Sequence, residues 1–231
     1  MAFTIYQPQR SRDCAVRGVL FDMDGLVLDT EKLYARFWME ASGALGFPMT
    51  YEQALGMRAL NSEFGEKQLQ SYFGPSVHYL DVRTERVRRM DAFVEANGVE
   101  PKAGIRELLD FLRQQGIRTA LASSSPMERI RRYLGSVGLL EGFDVICSGH
   151  DVENGKPHPD IFLLAARRLG LEPEACMVLE DSPSGLLAAQ RAGCFPVMVP
   201  DLDQPGAQTL PLLYARADSL LDVIGLLEAM K

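Results

Sequence analysis

The chain has little that would tie it to an oxidising compartment or to a membrane. Its 231 residues include four cysteines, Cys14, Cys147, Cys176 and Cys194, and no two of them form a Cys-x-x-Cys pair. This excludes a zinc knuckle and a thioredoxin-type motif. We expect reduced thiols, buried for Cys147 and Cys176, and a cytoplasmic location. No apolar run approaches the roughly 20 residues of a membrane span, and residues 1–18 lack the apolar core of a secretory signal.

Positive charge is also in deficit, because 24 Lys and Arg face 31 Asp and Glu, which gives a net charge of −7. This balance argues against a general nucleic-acid or acidic-membrane binder, and we expect neither partner. Four arginines between residues 83 and 89, Arg86 among them, alternate with acidic residues. They predict a solvated helix face.

Short, almost continuous apolar runs are present instead, and patterns typical of amphipathic helices separate them. Such runs are typical of strands buried on both faces of a parallel sheet. Strand and helix in alternation predict an α/β fold with a doubly wound parallel sheet. The runs are Arg17–Phe21, Arg118–Ala122, Asp144–Cys147, Cys176–Leu179 and Pro196–Val199.

A long interval with helical patterns separates the first run from the second. Residues 30–99 far exceed the dozen or so residues that one crossover between parallel strands requires. We therefore predict a core domain formed by residues 1–29 and 100–231, and a helical domain of residues 30–99 inserted after the first strand. The alternatives for residues 1–16 are a frayed extension or an extra edge element.

Polar residues follow the apolar runs at the points where the strands end. Ligands of open α/β sheets bind at these carboxyl ends. Four acids meeting there would repel one another by several kcal/mol. The usual remedies for such repulsion are raised pKa values or a bound cation. An all-oxygen cluster suits Mg²⁺, which retains waters that a phosphate can replace. A lysine and hydroxyl groups would then face phosphate oxygens, so the residues alone predict a Mg²⁺-dependent phosphoryl-transfer site. They are Asp22, Asp24, Ser123, Ser124, Lys156, Glu180 and Asp181.

These residues also resemble the four motifs of the haloacid dehalogenase (HAD) superfamily, in order and each at a strand end. The matching segments are Asp22-Met23-Asp24-Gly25-Leu26-Val27-Leu28-Asp29-Thr30, Ser123, Lys156-Pro157 and Glu180-Asp181-Ser182-Pro183-Ser184-Gly185. The resemblance extends from Arg17 onward. It implies a central first strand, and it implies that the helical insertion is a C1 cap with its hinge at Asp29 and Thr30.

Catalytic roles follow from the resemblance. It implies that Asp22 is the nucleophile and forms an aspartyl-phosphate. Asp24 would protonate the leaving oxygen and then activate water, and Ser123 and Lys156 would bind the transferring phosphoryl group. Dehalogenases and phosphonatases of the superfamily lack an acid two residues after the nucleophile, so Asp24 indicates a phosphate ester.

The resemblance also implies the metal ligands. Mg²⁺ would be held by Asp22, the backbone carbonyl of Asp24, and Asp181, with Glu180 nearby. The same acidic segment admits a structural interpretation, because Glu180, Asp181 and Ser182 could form a helix N-cap, and Ser182 could fulfil that role even beside a metal.

The subgroup that the chain resembles contains β-phosphoglucomutase, sugar-phosphate phosphatases and pseudouridine-5′-phosphatase. The mutases carry Gly-x-Ser-Arg in the cap, whereas Gly56–Asn61 has Arg58 one residue early and lacks the serine. We predict a phosphatase of a small phosphorylated metabolite, either a sugar phosphate or a nucleoside monophosphate. The alternative functions are those of a phosphohexomutase and of a non-catalytic binding protein. We expect the protein to be a monomer or a dimer. Arg58 and Ser124 are candidate substrate contacts, and Ser124 and Ser125 could shape the leaving-group side of the site. Both serines could instead merely cap a helix.

Overall fold

The computed structural model describes residues 2–9, 15–58, 60, 62–202 and 204–230. The chain divides into two units by the proximity of its Cα atoms. Unit 1 comprises Met1–Leu28 and Glu100–Lys231, and unit 2 comprises Asp29–Val99.

Unit 1 contains a sheet of seven strands within the described residues. In chain order these are β1 Phe3–Ile5, β2 Gly18–Phe21, β3 Arg118–Ser123, β4 Val145–Ser148, β5 Cys176–Glu180, β6 Phe195–Met198 and β7 Ala215–Ala217. They lie in the order β1-β7-β6-β5-β2-β3-β4, and only β1 and β7 pair antiparallel. The predicted α/β fold with a mainly parallel sheet is confirmed, and β2 lies inside the sheet as the resemblance implies.

Helices lie between the strands and in the interval of residues 30–99, as the helical patterns predict. In unit 2 they are α1 Glu31–Ala44, α2 Tyr51–Leu55, α3 Ser62–Phe73 and α4 Tyr79–Asn97. In unit 1 they are α5 Ile105–Gln114, α6 Met127–Ser136, α7 Asp160–Leu169, α8 Pro183–Arg191 and α9 Leu220–Ala229.

The sheet is apolar on both faces, as the continuous runs predict. Leu20 and Val178 belong to one buried cluster with residues of α7 and α8, among them Phe162 and Ala189. Because side chains alternate along a strand, Phe21 points to the opposite face, where its ring packs edge-on against Phe143 at 5.5 Å. The first strand is therefore buried on both sides, and its end is fixed in position.

Strands β1 and β7 were not predicted. Each has three residues, too few for a clear hydrophobic pattern, and the residues of β1 remain partly exposed. Residues 3–5 thus form an edge element, one of the two alternatives for the N-terminal segment. Cys14 and its neighbours 10–13 lie outside the described residues.

The chain leaves and re-enters unit 1 at neighbouring points. Leu28 forms an isolated antiparallel bridge with Pro101, and the Lys102 N–H donates to the Val27 carbonyl at 2.9 Å. The Lys102 ammonium also lies 2.6 Å from Asp201, in the loop after β6. Backbone pairing and an ion pair therefore anchor the re-entering segment to unit 1.

Unit 2 is helical and has its own core, in which Trp38, Leu69 and Tyr79 are buried. The expectation that Arg86 lies on a solvated helix face is wrong. Its side chain is buried, and its guanidinium stacks over Tyr34 at 4.6 Å and over Trp38 at 5.2 Å. Arginine can occupy this position because its planar, weakly hydrated cation is attracted to aromatic faces.

The described cysteines agree with the predicted reduced state, because Cys147, Cys176 and Cys194 are buried thiols. Burial raises the pKa of the Cys147 thiol despite the nearby Arg168 guanidinium. Among the described helices, none combines the length and the hydropathy that crossing a membrane requires.

Two helical glycines of unit 2 provide a test of its packing. A Cβ on Gly65 would lie 2.3 Å from the Tyr79 ring, whereas a Cβ on Gly43 would meet no atom within 4 Å. Because the Tyr79 ring is buried against Trp38, we expect Gly65→Ala to lower the free energy of unfolding by about 1–3 kcal/mol. Gly43→Ala should raise it by about 0.5–1 kcal/mol through helix propensity. Urea unfolding measures both changes in the free energy of unfolding. Equal changes for the two variants would contradict the close packing of Gly65 against Tyr79.

Candidate active site

The register of three parallel strands brings the predicted acids together. Phe21 pairs with Leu121 on one side and with Leu179 on the other. The Asp22 N–H continues this ladder by donating to the Leu179 carbonyl at 3.1 Å. Asp22 therefore stands beside the ends of β3 and β5, where Ser123 and Glu180 complete their strands.

Lys156 connects these strand ends. Its Nζ donates to Asp22 Oδ1 at 2.5 Å, to Glu180 Oε1 at 2.7 Å and to the Ala122 carbonyl at 3.1 Å. The ammonium also lies 4.9 Å from the centre of the Phe162 ring. Only 6% of the Lys156 side chain and 1% of the Glu180 side chain are exposed, so this ion pair is shielded from water.

The loop after β4 carries Lys156 to this position. The Asn154 backbone and side-chain amides both donate to Asp160 at the start of α7, and Arg191 donates to the Pro157 carbonyl at 3.0 Å. The Lys156–Pro157 peptide bond is cis. The lysine is thus held by contacts on both sides of its loop.

Burial shapes the charge state of this cluster. Removal from water raises the pKa of Asp22 to about 7, with Glu180 and Asp24 adding to the rise and Lys156 opposing it. Burial alone would lower the pKa of Lys156, but attraction by Asp22 and Glu180 outweighs it and holds that pKa above its ordinary value. Lys156 is therefore a permanent cation, while Asp22 can titrate near neutrality.

Glu180 has partners for both of its carboxylate oxygens. Oε1 accepts from Lys156, and Oε2 accepts from the Ser182 backbone N–H at 3.0 Å and from the Ser182 hydroxyl at 2.9 Å. Its carboxylate lies against Gly185, where a Cβ would stand 1.7 Å from Oε1. Ser182 Oγ also accepts from the Gly185 N–H, so it is the N-cap of α8 as anticipated.

A candidate metal centre lies at the same place. Asp22, Glu180 and Asp181 each offer a carboxylate oxygen, and the three oxygens lie within 4.8 Å of one another. Three acids face one lysine here, so negative charge remains, and the all-oxygen donor set suits Mg²⁺. The Asp24 carboxyl is not a member of this group.

The three consecutive serines at the end of β3 and just after it differ in their surroundings. Ser123 is fully buried, and its Oγ accepts from the Ser125 N–H at 3.1 Å. Ser124 is exposed. Ser125 is almost completely buried, and its hydroxyl donates to Asp24 Oδ2 at 3.4 Å.

Arg58, the remaining predicted site residue, belongs to unit 2. It ends the turn after α2, its Nε donates to the Leu55 carbonyl at 3.2 Å, and its guanidinium lies 3.8 Å from Glu31. Ala59 and Asn61, the other end of the segment compared with the mutases, lie outside the described residues.

Ser148 is the residue of this region that the sequence did not indicate. It is fully buried at the end of β4 and pairs with Ser123. Its hydroxyl donates to the Ser125 carbonyl at 2.8 Å. The signal that could have identified it is its position, because it ends its strand with a hydroxyl as Ser123 does.

Known proteins resemble this chain over most of its length. The family described as haloacid dehalogenase-like hydrolase matches residues 16–193. The phosphorylated carbohydrates phosphatase of Thermotoga maritima is 34% identical over 187 residues, which cover 77% of this chain and 82% of the relative.

Two solved structures illustrate the likeness in fold. A HAD family hydrolase from Deinococcus radiodurans, solved with phosphate and sodium bound, has a TM-score of 0.78 at 29% identity and covers 94% of this chain and 97% of its own. A β-phosphoglucomutase from Clostridium difficile has a TM-score of 0.76 at 20% identity and covers 93% and 96%. The second likeness concerns the fold alone.

Removing the buried cation tests the electrostatic description. Lys156→Met should lower the free energy of unfolding by about 3–5 kcal/mol in EDTA at pH 7, because two buried carboxylates lose their counter-ion. Without the opposing charge of Lys156, the folded-state pKa of Asp22 rises further above about 7, so the folded variant retains a proton that folded wild type releases, and its stability falls further as pH rises. The difference from wild type should therefore widen from pH 6 to pH 8, around the wild-type pKa of Asp22, as measured by urea unfolding.

Lys67→Met is the matched control, since Lys67 forms an exposed ion pair with Glu63 at 2.6 Å. Its effect should be much smaller than that of Lys156→Met, because solvent screens the exposed pair. A Lys156→Met penalty as small as that of the control, or one independent of pH, would contradict the arrangement.

Proposed function

The chain belongs to the haloacid dehalogenase-like hydrolases, and from this premise we propose that it is a Mg²⁺-dependent phosphatase of a small phosphomonoester. The substrate class is a sugar phosphate or a nucleoside monophosphate. The observation that carries the proposal is Lys156 bound between Asp22 and Glu180 at the strand ends, with Asp24 two residues beyond Asp22.

The proposed reaction has two in-line steps. In the first, an Asp22 carboxylate oxygen attacks phosphorus, the ester P–O bond breaks, and Asp24 gives its proton to the leaving oxygen. In the second, water attacks the aspartyl-phosphate while Asp24 takes up a proton, which releases phosphate and restores Asp22. Lys156 and Ser123 bind the phosphoryl oxygens and neutralise their charge.

The all-oxygen cluster supports a Mg²⁺ requirement. Asp22, Asp181 and the backbone carbonyl of Asp24 would hold the ion, with Glu180 nearby. When bound, the ion supplies positive charge to the phosphoryl oxygens. Lys156 alone leaves part of the charge of Asp22, Glu180 and Asp181 uncompensated.

Other features of the proposal rest on the sequence. Residues 30–99 serve as the cap, and Arg58 and Ser124 contact the substrate. The partner is a small phosphorylated metabolite, without nucleic acid or membrane. The protein acts in the cytoplasm as a monomer or a dimer.

Phosphate release is the decisive assay for the proposal. Wild-type protein with Mg²⁺ should release phosphate from one group within a panel of sugar and nucleoside monophosphates, and EDTA should stop the release. Asp22→Asn should abolish turnover, since the amide cannot act as the nucleophile. Asp24→Asn should lower kcat about 10²–10⁴-fold on sugar phosphates. Retained turnover by Asp22→Asn would contradict its assignment.

The same panel separates the alternatives. Conversion of β-glucose 1-phosphate to glucose 6-phosphate with little free phosphate would identify a phosphohexomutase. Binding of phosphorylated compounds without turnover would identify a non-catalytic binding protein. We favour hydrolysis because Arg58 stands one residue early in the mutase segment and already lies near Glu31.

Metal binding can be measured without turnover. Mg²⁺ at a hundredfold excess over its Kd should stabilise the protein by about 2.7 kcal/mol, seen as a higher Tm in differential scanning fluorimetry. Asp181→Asn should lose most of this shift. Asp110→Asn, which alters an exposed carboxylate paired with Arg113 on α5, should keep it. An undiminished shift in Asp181→Asn would place the metal elsewhere.

A further inference from the structure

Ser125 occupies an unusual place among the serines after β3. Ser124 next to it is exposed, whereas Ser125 is only 7% exposed. Its hydroxyl donates to Asp24 Oδ2 across 3.4 Å. The hydroxyl is thus directed at the carboxyl group to which the proposed function assigns both proton transfers.

The backbone of Ser125 is held from two sides. Its N–H donates to Ser123 Oγ at 3.1 Å, and its carbonyl accepts from the Ser148 hydroxyl at 2.8 Å. Gly149 allows this approach, because a Cβ there would lie 2.7 Å from the Ser124 carbonyl oxygen. The turn after β3 is therefore fastened to the end of β4.

Ser148 is fixed in turn by its own neighbours. Its backbone N–H donates to Asp151 Oδ2 at 3.2 Å, and its Oγ accepts from the His150 N–H at 3.2 Å. Arg168 of α7 donates to the same Asp151 oxygen at 2.9 Å. A continuous series of contacts thus extends from α7 through β4 to Asp24.

We propose that Ser125 is a positioning residue that orients Asp24 for proton transfer, and that Ser148 holds Ser125 in place. The inference rests on the proposed function. Because Oδ2 of Asp24 accepts the hydrogen bond from the Ser125 hydroxyl, the acidic proton of the Asp24 carboxyl group resides on its other oxygen, Oδ1. Oδ1 then gives its proton to the leaving alkoxide as the P–O bond breaks, and regains one from water in the second step.

This role predicts dependence on the leaving group. An alkoxide needs a proton as it departs, whereas p-nitrophenolate is stable without one at neutral pH. Ser125→Ala should lower kcat/KM, which reports only the steps up to cleavage of the ester P–O bond, about 30-fold on the alkyl phosphate of the panel that wild type hydrolyses fastest, a fraction of the full general-acid contribution. On p-nitrophenyl phosphate the change in kcat/KM should stay below about threefold, because that leaving group departs without a proton.

A double-mutant cycle shows whether Ser125 acts through Asp24. In an Asp24→Asn background, Ser125→Ala should have no further effect on the alkyl phosphate, because the group that it orients is gone. Ser148→Ala should show the same leaving-group pattern with a smaller loss. Circular dichroism and thermal unfolding establish that each variant is folded.

Ser136→Ala is the matched control, because Ser136 on α6 also donates its hydroxyl to a backbone carbonyl, that of Tyr133, at 2.8 Å. Its rates on both substrates should equal those of wild type.

Two results would overturn the inference. These are an equal loss of kcat/KM on both substrates in folded Ser125→Ala, and a full additional loss in the Asp24→Asn background. A wild-type protein no more active than Asp22→Asn would instead overturn the proposed function, and this inference with it. The two failures are therefore distinguishable.

Discussion

The buried ion pair of Lys156 with Asp22 and Glu180 is the interaction on which the rest of the site depends. A lysine buried this deeply is stable only with carboxylates at hydrogen-bond distance. The strands β2 and β5 must therefore end in register, and the loop after β4 must return across them. Glycine is needed at position 185 because the Glu180 carboxylate occupies the space of its Cβ. The requirement for one buried cation thus fixes a strand register, a loop path and a glycine.

Much of the core could be predicted from the sequence, because its strands are buried on both faces and appear as continuous apolar runs. The short edge strands β1 and β7 could not, since three residues carry little periodic signal. The sequence pattern also gave no indication that Arg86 is buried. An arginine within a charged run is ordinarily solvated, and its stacking on Tyr34 and Trp38 depends on two helices brought together by folding.

The candidate site was likewise predictable from the sequence only in part. Asp22, Asp24, Lys156, Glu180 and Asp181 stand in recognisable motifs, whereas the sequence does not reveal which atoms they bind. That Glu180 uses one oxygen for Lys156 and the other for Ser182 follows only from the geometry. Ser148 lies in no motif, and its contact with Ser125 arises because β3 and β4 end side by side.

The pairing of Leu28 with Pro101 bears on how much chain unit 1 can tolerate between them. These two residues are neighbours in a bridge that belongs to unit 1 itself. The entropy lost on closing a flexible loop rises only with the logarithm of its length, so each doubling costs about 0.6 kcal/mol. The stability of the sheet is therefore nearly indifferent to the number of residues in that interval. This gives the interval between residues 28 and 101 a freedom to change in length and sequence that the strand ends, tied to a single buried cation, do not have.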